Sequence, residues 1–426
     1  MNTPSLENSN RIEKFTTKSG LNCVLLNKPD SLISSVNLAY KVGSKNEIKG
    51  KTGIAHLLEH LMFEGTKNLE RGLFDKMISQ EGGTNNAYTT YDYTAYTMTL
   101  PSDKLELALW LESDRMNNLN LTQEALDNQK SVVIEEIKQT IQNRPYAKWR
   151  EVLAKNAFSE KSSYSWEVAG SIEDVANFDL NDLEKFYNTF YSPENAFLSI
   201  VGNINIEETK TLIEKYFNNS KSLEKPKVDF NDEYLLNSNY TIIPDEVPLN
   251  AVFLAFHSAG FIEDKEVHVA NLFCNLAASG KSSPIQINLT HKTQLASTVG
   301  VFLDKREFGS ILTFYIVANT PETNCEELYD ALVNELNLIK QNGFSEADFE
   351  RSKNMLITSI AMEYQRAVGL ADSLSFSNMF FAEPERAFSI IENYEKITTQ
   401  EVVDFINGKV IFEYSIRIDV VKNTNH

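Results

Sequence analysis

The sequence predicts an α+β protein of two halves built to one plan, each a mixed, mostly antiparallel sheet packed with helices. Three observations predict it. The strand-like run Ser34 to Val42 precedes a helical segment that begins near Gly53, and Ala251 to Ala259 precedes a second one near Val267 to Ala278. Late in each half comes a further strand, Phe197 to Gly202 and Val410 to Val420. Between them the polar stretch Asn218 to Lys227, with Pro226 and no periodicity, marks a linker. At 426 residues and 42% apolar content the chain can bury two cores. The expected boundaries are 1–218 for the first domain, 219–237 for the linker and 238–426 for the second domain.

Met1 to Asn10 has no basic start, no apolar core and no arginine enrichment, so the chain as written reads as cytoplasmic. No run of eighteen or more apolar residues is present, and no bilayer span is expected.

Past the first strand comes His56-Leu57-Leu58-Glu59-His60, in a chain with only 6 histidines. Four helical positions amount to about 400° of rotation, so the two imidazoles lie one turn apart on one side, with Glu59 beside them. Ile54, Ala55, Leu57, Leu58, Leu61, Met62 and Phe63 surround them with apolar side chains, as in a buried helix. Two core histidines bonded to carbonyls are the plain alternative. The whole pattern favours a metal, because unsatisfied polar groups in such a place are costly. A catalytic zinc takes three protein ligands and leaves a fourth position open, so a third donor is needed.

The hairpin comes next. Gly82 to Leu100 alternates threonine and tyrosine and predicts two paired strands turning near Tyr91 and Asp92. A long helix follows, from near Thr122 to about Gln142, with Leu126, Val133 and Ile137 on its buried side. It offers the third ligand as Glu135 or Glu136, between which the pattern does not choose.

In the second half, Asn271 to Asn275 stands where the first half has its histidine helix and lacks both histidines and the glutamate. His257, His268 and His291 have no ligand spacing and are expected to be structural or surface residues, and terminal His426 to be disordered. Cys23, Cys274 and Cys325 have neither paired nor metal-ligand spacing, so no disulfide framework is implied.

Gly53 to Thr66, Gly83 to Tyr96, Val132 to Ile137, and Tyr191-Ser192-Pro193-Glu194-Asn195 leading into Val201-Gly202 resemble the pitrilysin/insulinase family of zinc metallopeptidases, whose motif is the inverted HxxEH. The likeness is to the short-chain branch that includes mitochondrial processing peptidase and its bacterial relatives. The resemblance places the third ligand on a glutamate seventy-six positions after the second histidine, which is Glu136. It implies one zinc per chain on His56, His60 and Glu136, with Glu59 as the general base and Glu135 as the fallback ligand. The first domain is then zinc-binding and catalytic, and the second a homologous domain without a metal site.

In the family a glutamate about seven residues before the third ligand orients a ligating histidine; here that position is Gln129, which keeps a hydrogen-bonding side chain and loses a charge. The resemblance also implies that the first hairpin strand is a sheet edge to which an extended peptide adds as a further strand. Asn86 and Ala87 match the substrate-contacting pair, and Phe63 a residue lining the pocket beside the metal. In the family an opposing domain supplies an arginine and a tyrosine that grip the substrate. Here those places hold Thr290 and Ser297, which offer no cationic fork and too short a reach. The expectation is therefore the zinc-bearing subunit of a heterodimer whose partner supplies that pair, with a weakly active or inactive homodimer as the competing outcome.

The net charge of -19 argues against nucleic acid or anionic membrane as partners. Two functions remain. One is a zinc endopeptidase cutting extended peptides in a closed chamber; the other is a non-catalytic assembly subunit of the same fold, like the core proteins of the respiratory bc complex. Intact His56, Glu59, His60 and Glu136 favour the first.

Overall fold

The computed structural model describes residues 12–218, 220 and 234–423. Six strands form the first sheet, in the order β1 (Ile12–Thr16), β2 (Asn22–Asn27), β6 (Ala196–Gly202), β3 (Ile33–Tyr40), β5 (Thr94–Pro101) and β4 (Thr84–Thr89). Five form the second: β7 (Asn239–Asp245), β11 (Ile416–Lys422), β8 (Ala251–Ser258), β10 (Ser310–Ala318) and β9 (Ala296–Asp304). In the first sheet β2 and β6 are parallel and every other pair is antiparallel. In the second the parallel pair is β7 and β11. With β1 set aside the two orders match strand for strand, each a parallel pair followed by three antiparallel steps to an edge. The mixed, mostly antiparallel sheets and the repeated plan are thus as expected.

The apolar runs explain the central strands. Every residue of β6 is buried, and so is all of β3 after Ile33, as continuous runs require when both faces are covered. Val410 to Val420 is not one strand, however. Residues Phe412–Tyr414 form a 3-10 turn, and pairing starts only at Ile416, where buried residues begin to alternate. The long helix likewise ends early, at Gln123–Ile137, and continues over Lys138–Gln142 as a wider π-type turn.

The compact units depart from the expected boundaries, which separate the two sheets but not the segments packed on them. One unit comprises Met1–Ile137, Glu167–Phe230 and Ala361–Ile390; the other comprises Lys138–Trp166, Asn231–Ile360 and Ile391–His426. Packing gives the reason. Helix Ala367–Phe381 lies against β3 and β6, so a late segment covers the first sheet. Helix Trp149–Ala157 packs on β7, β8 and β11, and the Trp149 ring stacks on Phe253 at 4.5 Å. Most of the expected linker, 219–237, falls outside the described residues, and Met1 to Asn10 and His426 lie entirely outside them. Among the described residues no helix is long and apolar enough to cross a membrane.

Candidate metal centre and active site

The histidine helix runs over Ile54–Leu61. It starts from Gly53 in the left-handed region, φ 88°, where a Cβ would stand 2.4 Å from the Ala169 carbonyl oxygen. Glu47 caps it: the two carboxylate oxygens accept from the backbone N–H groups of Gly53 at 2.9 Å and Ala55 at 3.0 Å. The helix packs against Gln123–Ile137, β4 and helix Leu180–Phe190, which turns its polar side toward the ligand helix and the sheet edge.

His56 and His60 lie one turn apart with ring centroids 4.8 Å apart, and Glu136 reaches both. Its Oε1 is 3.8 Å from His56 Nε2 and its Oε2 3.5 Å from His60 Nε2. One donor atom from each residue lies within 4.8 Å of the others, and no other group of this kind occurs among the described residues. Tetrahedral zinc with bonds of about 2.0–2.2 Å holds its ligand atoms roughly 3.3 Å apart, so this triangle fits an ion after small adjustments. Burial and the neighbouring His60 lower the pKa of His56 to about 4, which keeps its ring neutral, the form that donates to a metal. Glu135 is exposed and outside the group.

Glu59 is only 9% exposed. Burial raises its pKa, and the proximity of Glu136 adds to this; the Thr89 hydroxyl, which donates to Glu59 Oε2 at 2.5 Å, works against it, as do His60 and Arg115. Gln129 is where the sequence places a supporting residue. Its Oε1 lies 3.2 Å from His60 Nδ1, while its Nε2 donates to Glu64 Oε1 at 2.7 Å. Arg71 Nε stands 2.9 Å from the other Glu64 oxygen.

The expected peptide-binding strand is an edge. β4 ends the sheet order, is paired with β5 and touches the histidine helix. Asn86, exposed, and Ala87, half-buried, sit in register with Thr97 and Tyr96. Phe63 packs edge-on to Phe74 at 5.8 Å and near Tyr96 at 6.1 Å. Beneath the three rings lies Arg115, 2% exposed, paired with buried Glu112 at 2.5 Å and 4.1 Å from the Tyr96 centroid. In the second unit Thr290 donates to the Gln286 carbonyl at 2.6 Å, and Ser297 on β9 donates to the Val317 carbonyl at 3.3 Å.

Two family models match the chain: "Insulinase (Peptidase family M16)" over residues 22–166 and "Peptidase M16 inactive domain" over residues 177–356. The zinc protease PqqE of Helicobacter pylori is 32% identical over 348 residues, covering 80% of this chain and 77% of that protein. The chain belongs to the M16, or pitrilysin/insulinase, peptidase family. A mitochondrial-processing peptidase subunit beta from Caenorhabditis elegans is 23% identical over 402 residues, covering 92% of this chain and 86% of its own length. Among solved structures, a protease from Helicobacter pylori superimposes with a TM-score of 0.90 at 26% identity, covering 96% of this chain and 99% of that one.

Within this M16 chain the structure brings together His56, Glu59, His60, Gln129 and Glu136, and sets β4 beside them. Sequence reasoning missed Thr89, Glu64 and Arg115. Thr89 stood unremarked within the threonine-rich hairpin. Glu64 lies within the matched segment Gly53 to Thr66, but nothing local links it to Gln129. Arg115 signals itself only as a charged residue three positions from a glutamate, a pattern common on exposed helices.

Proposed function

We propose that this chain is a zinc-dependent endopeptidase acting on extended peptides, and that it is the zinc-bearing subunit of a dimer. The observation that carries the reading is the convergence of two imidazole Nε2 atoms and one carboxylate on a common point, with a second, buried carboxylate held beside them by Thr89. Zinc bound there would polarise the scissile carbonyl and acidify water. His56, His60 and Glu136 would hold the ion. Glu59 takes a proton from the attacking water and returns it to the leaving amine, a role suited to a carboxylate whose affinity for protons burial has increased. β4 supplies main-chain groups to an extended peptide, and Asn86, Ala87 and Phe63 border its side chains.

The dimer half of the proposal rests on the slot that holds Thr290 and Ser297. Both spend their hydroxyls on backbone carbonyls, and neither carries a charge for an oxyanion. A related subunit bearing an arginine and a tyrosine would complete the chamber, and a relative named as a processing-peptidase subunit supports this.

The test is Glu59→Gln. Zinc content should stay near one ion per chain while cleavage of a quenched peptide falls by more than about 100-fold. Retained turnover would remove Glu59 from the base role, and wild-type protein that takes up no zinc would point instead to a non-catalytic subunit. Full peptidase activity of the chain alone, unchanged by an added arginine- and tyrosine-bearing relative, would overturn the dimer claim.

A further inference from the structure

We propose that Glu64 is a positioning residue for the metal centre: it sets the orientation of the Gln129 amide and thereby the tautomer of His60. This rests on the reading of His60 as a zinc ligand.

A glutamine amide alone cannot dictate a tautomer, because it presents an oxygen and an NH2 group that a half-turn about its last bond exchanges. With the oxygen toward Nδ1 the ring must carry its proton there, and Nε2 keeps its lone pair for a metal. With the NH2 toward Nδ1 the proton moves to Nε2, and the ring cannot ligate. What breaks the degeneracy is the group on the far side of Gln129. A carboxylate only accepts hydrogen bonds, so Glu64 Oε1, 2.7 Å from the Gln129 nitrogen, requires the NH2 on its own side. The reverse orientation would press two acceptor oxygens together at that distance. The oxygen then faces His60 Nδ1 at 3.2 Å, as observed.

Arg71 forms an ion pair with the far side of the relay. Its Nε lies 2.9 Å from Glu64 Oε2, although that oxygen accepts no hydrogen bond among the described residues, and the Glu64 side chain is only 7% exposed, so the carboxylate is kept out of bulk water beside a cation. His56 gives the contrast. Its buried Nδ1 has no hydrogen-bond partner among the described residues, so His60 is the ring whose tautomer the protein determines. The charge absent at position 129 thus stands one side chain further out, at position 64.

The inference predicts opposite effects from two substitutions. In Glu64→Lys the ammonium only donates, so the amide turns its oxygen to Lys and its NH2 to His60, favouring the wrong tautomer. Zinc affinity, measured by competition with a chelator, should fall about 10–100-fold. Spectra of metal-free protein labelled with 15N-histidine, taken in a Glu136→Ala background so that no carboxylate accepts from Nε2, should show the His60 proton moving from Nδ1 to Nε2. Adding Gln129→Glu should restore both, since a carboxylate at 129 accepts from the ammonium and from Nδ1 alike.

An unchanged tautomer in Glu64→Lys would overturn the proposal, as would a loss of affinity that Gln129→Glu does not rescue. The metal-free spectra separate this failure from that of the functional reading. A wild-type chain that binds no zinc, while its Glu136→Ala form shows the Nδ1–H tautomer, lost on adding Glu64→Lys and recovered on adding Gln129→Glu as well, would sink the zinc peptidase and leave the relay standing.

Discussion

Glu135 and Glu136 are neighbours on one helix, and the rotation of about 100° between them decides which can meet the imidazoles. Glu136 lies within 4.8 Å of the other two donors, whereas Glu135 is exposed. Glu136→Ala should therefore reduce zinc affinity by more than the roughly 10–100-fold expected of a supporting residue, and Glu135→Ala should leave it unchanged in the same chelator competition. Equal losses in the two variants would mean that the ligand had been misassigned. This scale also shows what the sequence could and could not disclose. Spacing alone made His56, Glu59 and His60 legible, because helical geometry turns a four-residue interval into proximity. Gln129 and Glu136 needed the family likeness. Glu64 and Thr89 were illegible because their partners lie 65 and 30 positions away, and nothing local marks such contacts.

The histidine helix is short, and its placement depends on what holds its ends. Glu47 satisfies two of the backbone N–H groups that open it, from a buried position 6% exposed. Glu47→Ala leaves both donors unpaired and should cost about 1–3 kcal/mol in chemical denaturation. Glu47→Gln can meet one of them and should cost less; equal losses would count against capping as the cause. Strand β8 carries a different sensitivity. His257 stacks on Tyr234 at 4.8 Å and meets Phe158 edge-on at 5.8 Å. Burial, with a smaller push from Arg306, lowers its pKa to about 4. The unfolded chain takes up this proton near pH 6.5 and the folded chain only near pH 4, so the stability this neutral ring supplies is present above about 6.5 and lost as pH falls toward 4. The loss approaches about 3 kcal/mol. Urea midpoints at pH 7 and pH 4.5 should draw together in His257→Phe relative to wild type, whatever the variant's absolute stability; an unaltered pH dependence would contradict the assignment. At this scale the sequence was a good guide to strands, since apolar runs and alternation reflect sheet burial directly. It was a poorer guide to ends such as Ile416, where a turn over Phe412–Tyr414 interrupts an alternating segment without glycine or proline.

For the whole molecule, the repeated strand order was legible because each half carries its own pattern, but the exchange of segments was not. Residues from the last quarter of the chain cover the first sheet. Met379 joins Ala39, Ala95 and Phe197 in one buried cluster, and Tyr93 packs against Phe376 and Phe380, each at 5.9 Å. Asp372 on the same helix accepts from Asn37 at 2.9 Å and from the Tyr88 hydroxyl, tying the helix to β3 and to the edge strand β4. No periodicity could announce contacts such as Tyr88 with Asp372, 284 positions apart, since nothing local marks either partner. A fragment ending at residue 218 would leave this apolar surface and the buried amide of Asn37 uncovered, a large cost against a marginal total stability. Such a fragment should show no cooperative thermal transition and should bind zinc poorly, because β4 and Thr89 lose their support. Joining residues 361–390 to it through a flexible linker should restore a single transition and zinc binding together. A fragment 1–218 that melts cooperatively by itself would show that the first sheet and its histidine helix fold without the returning helix.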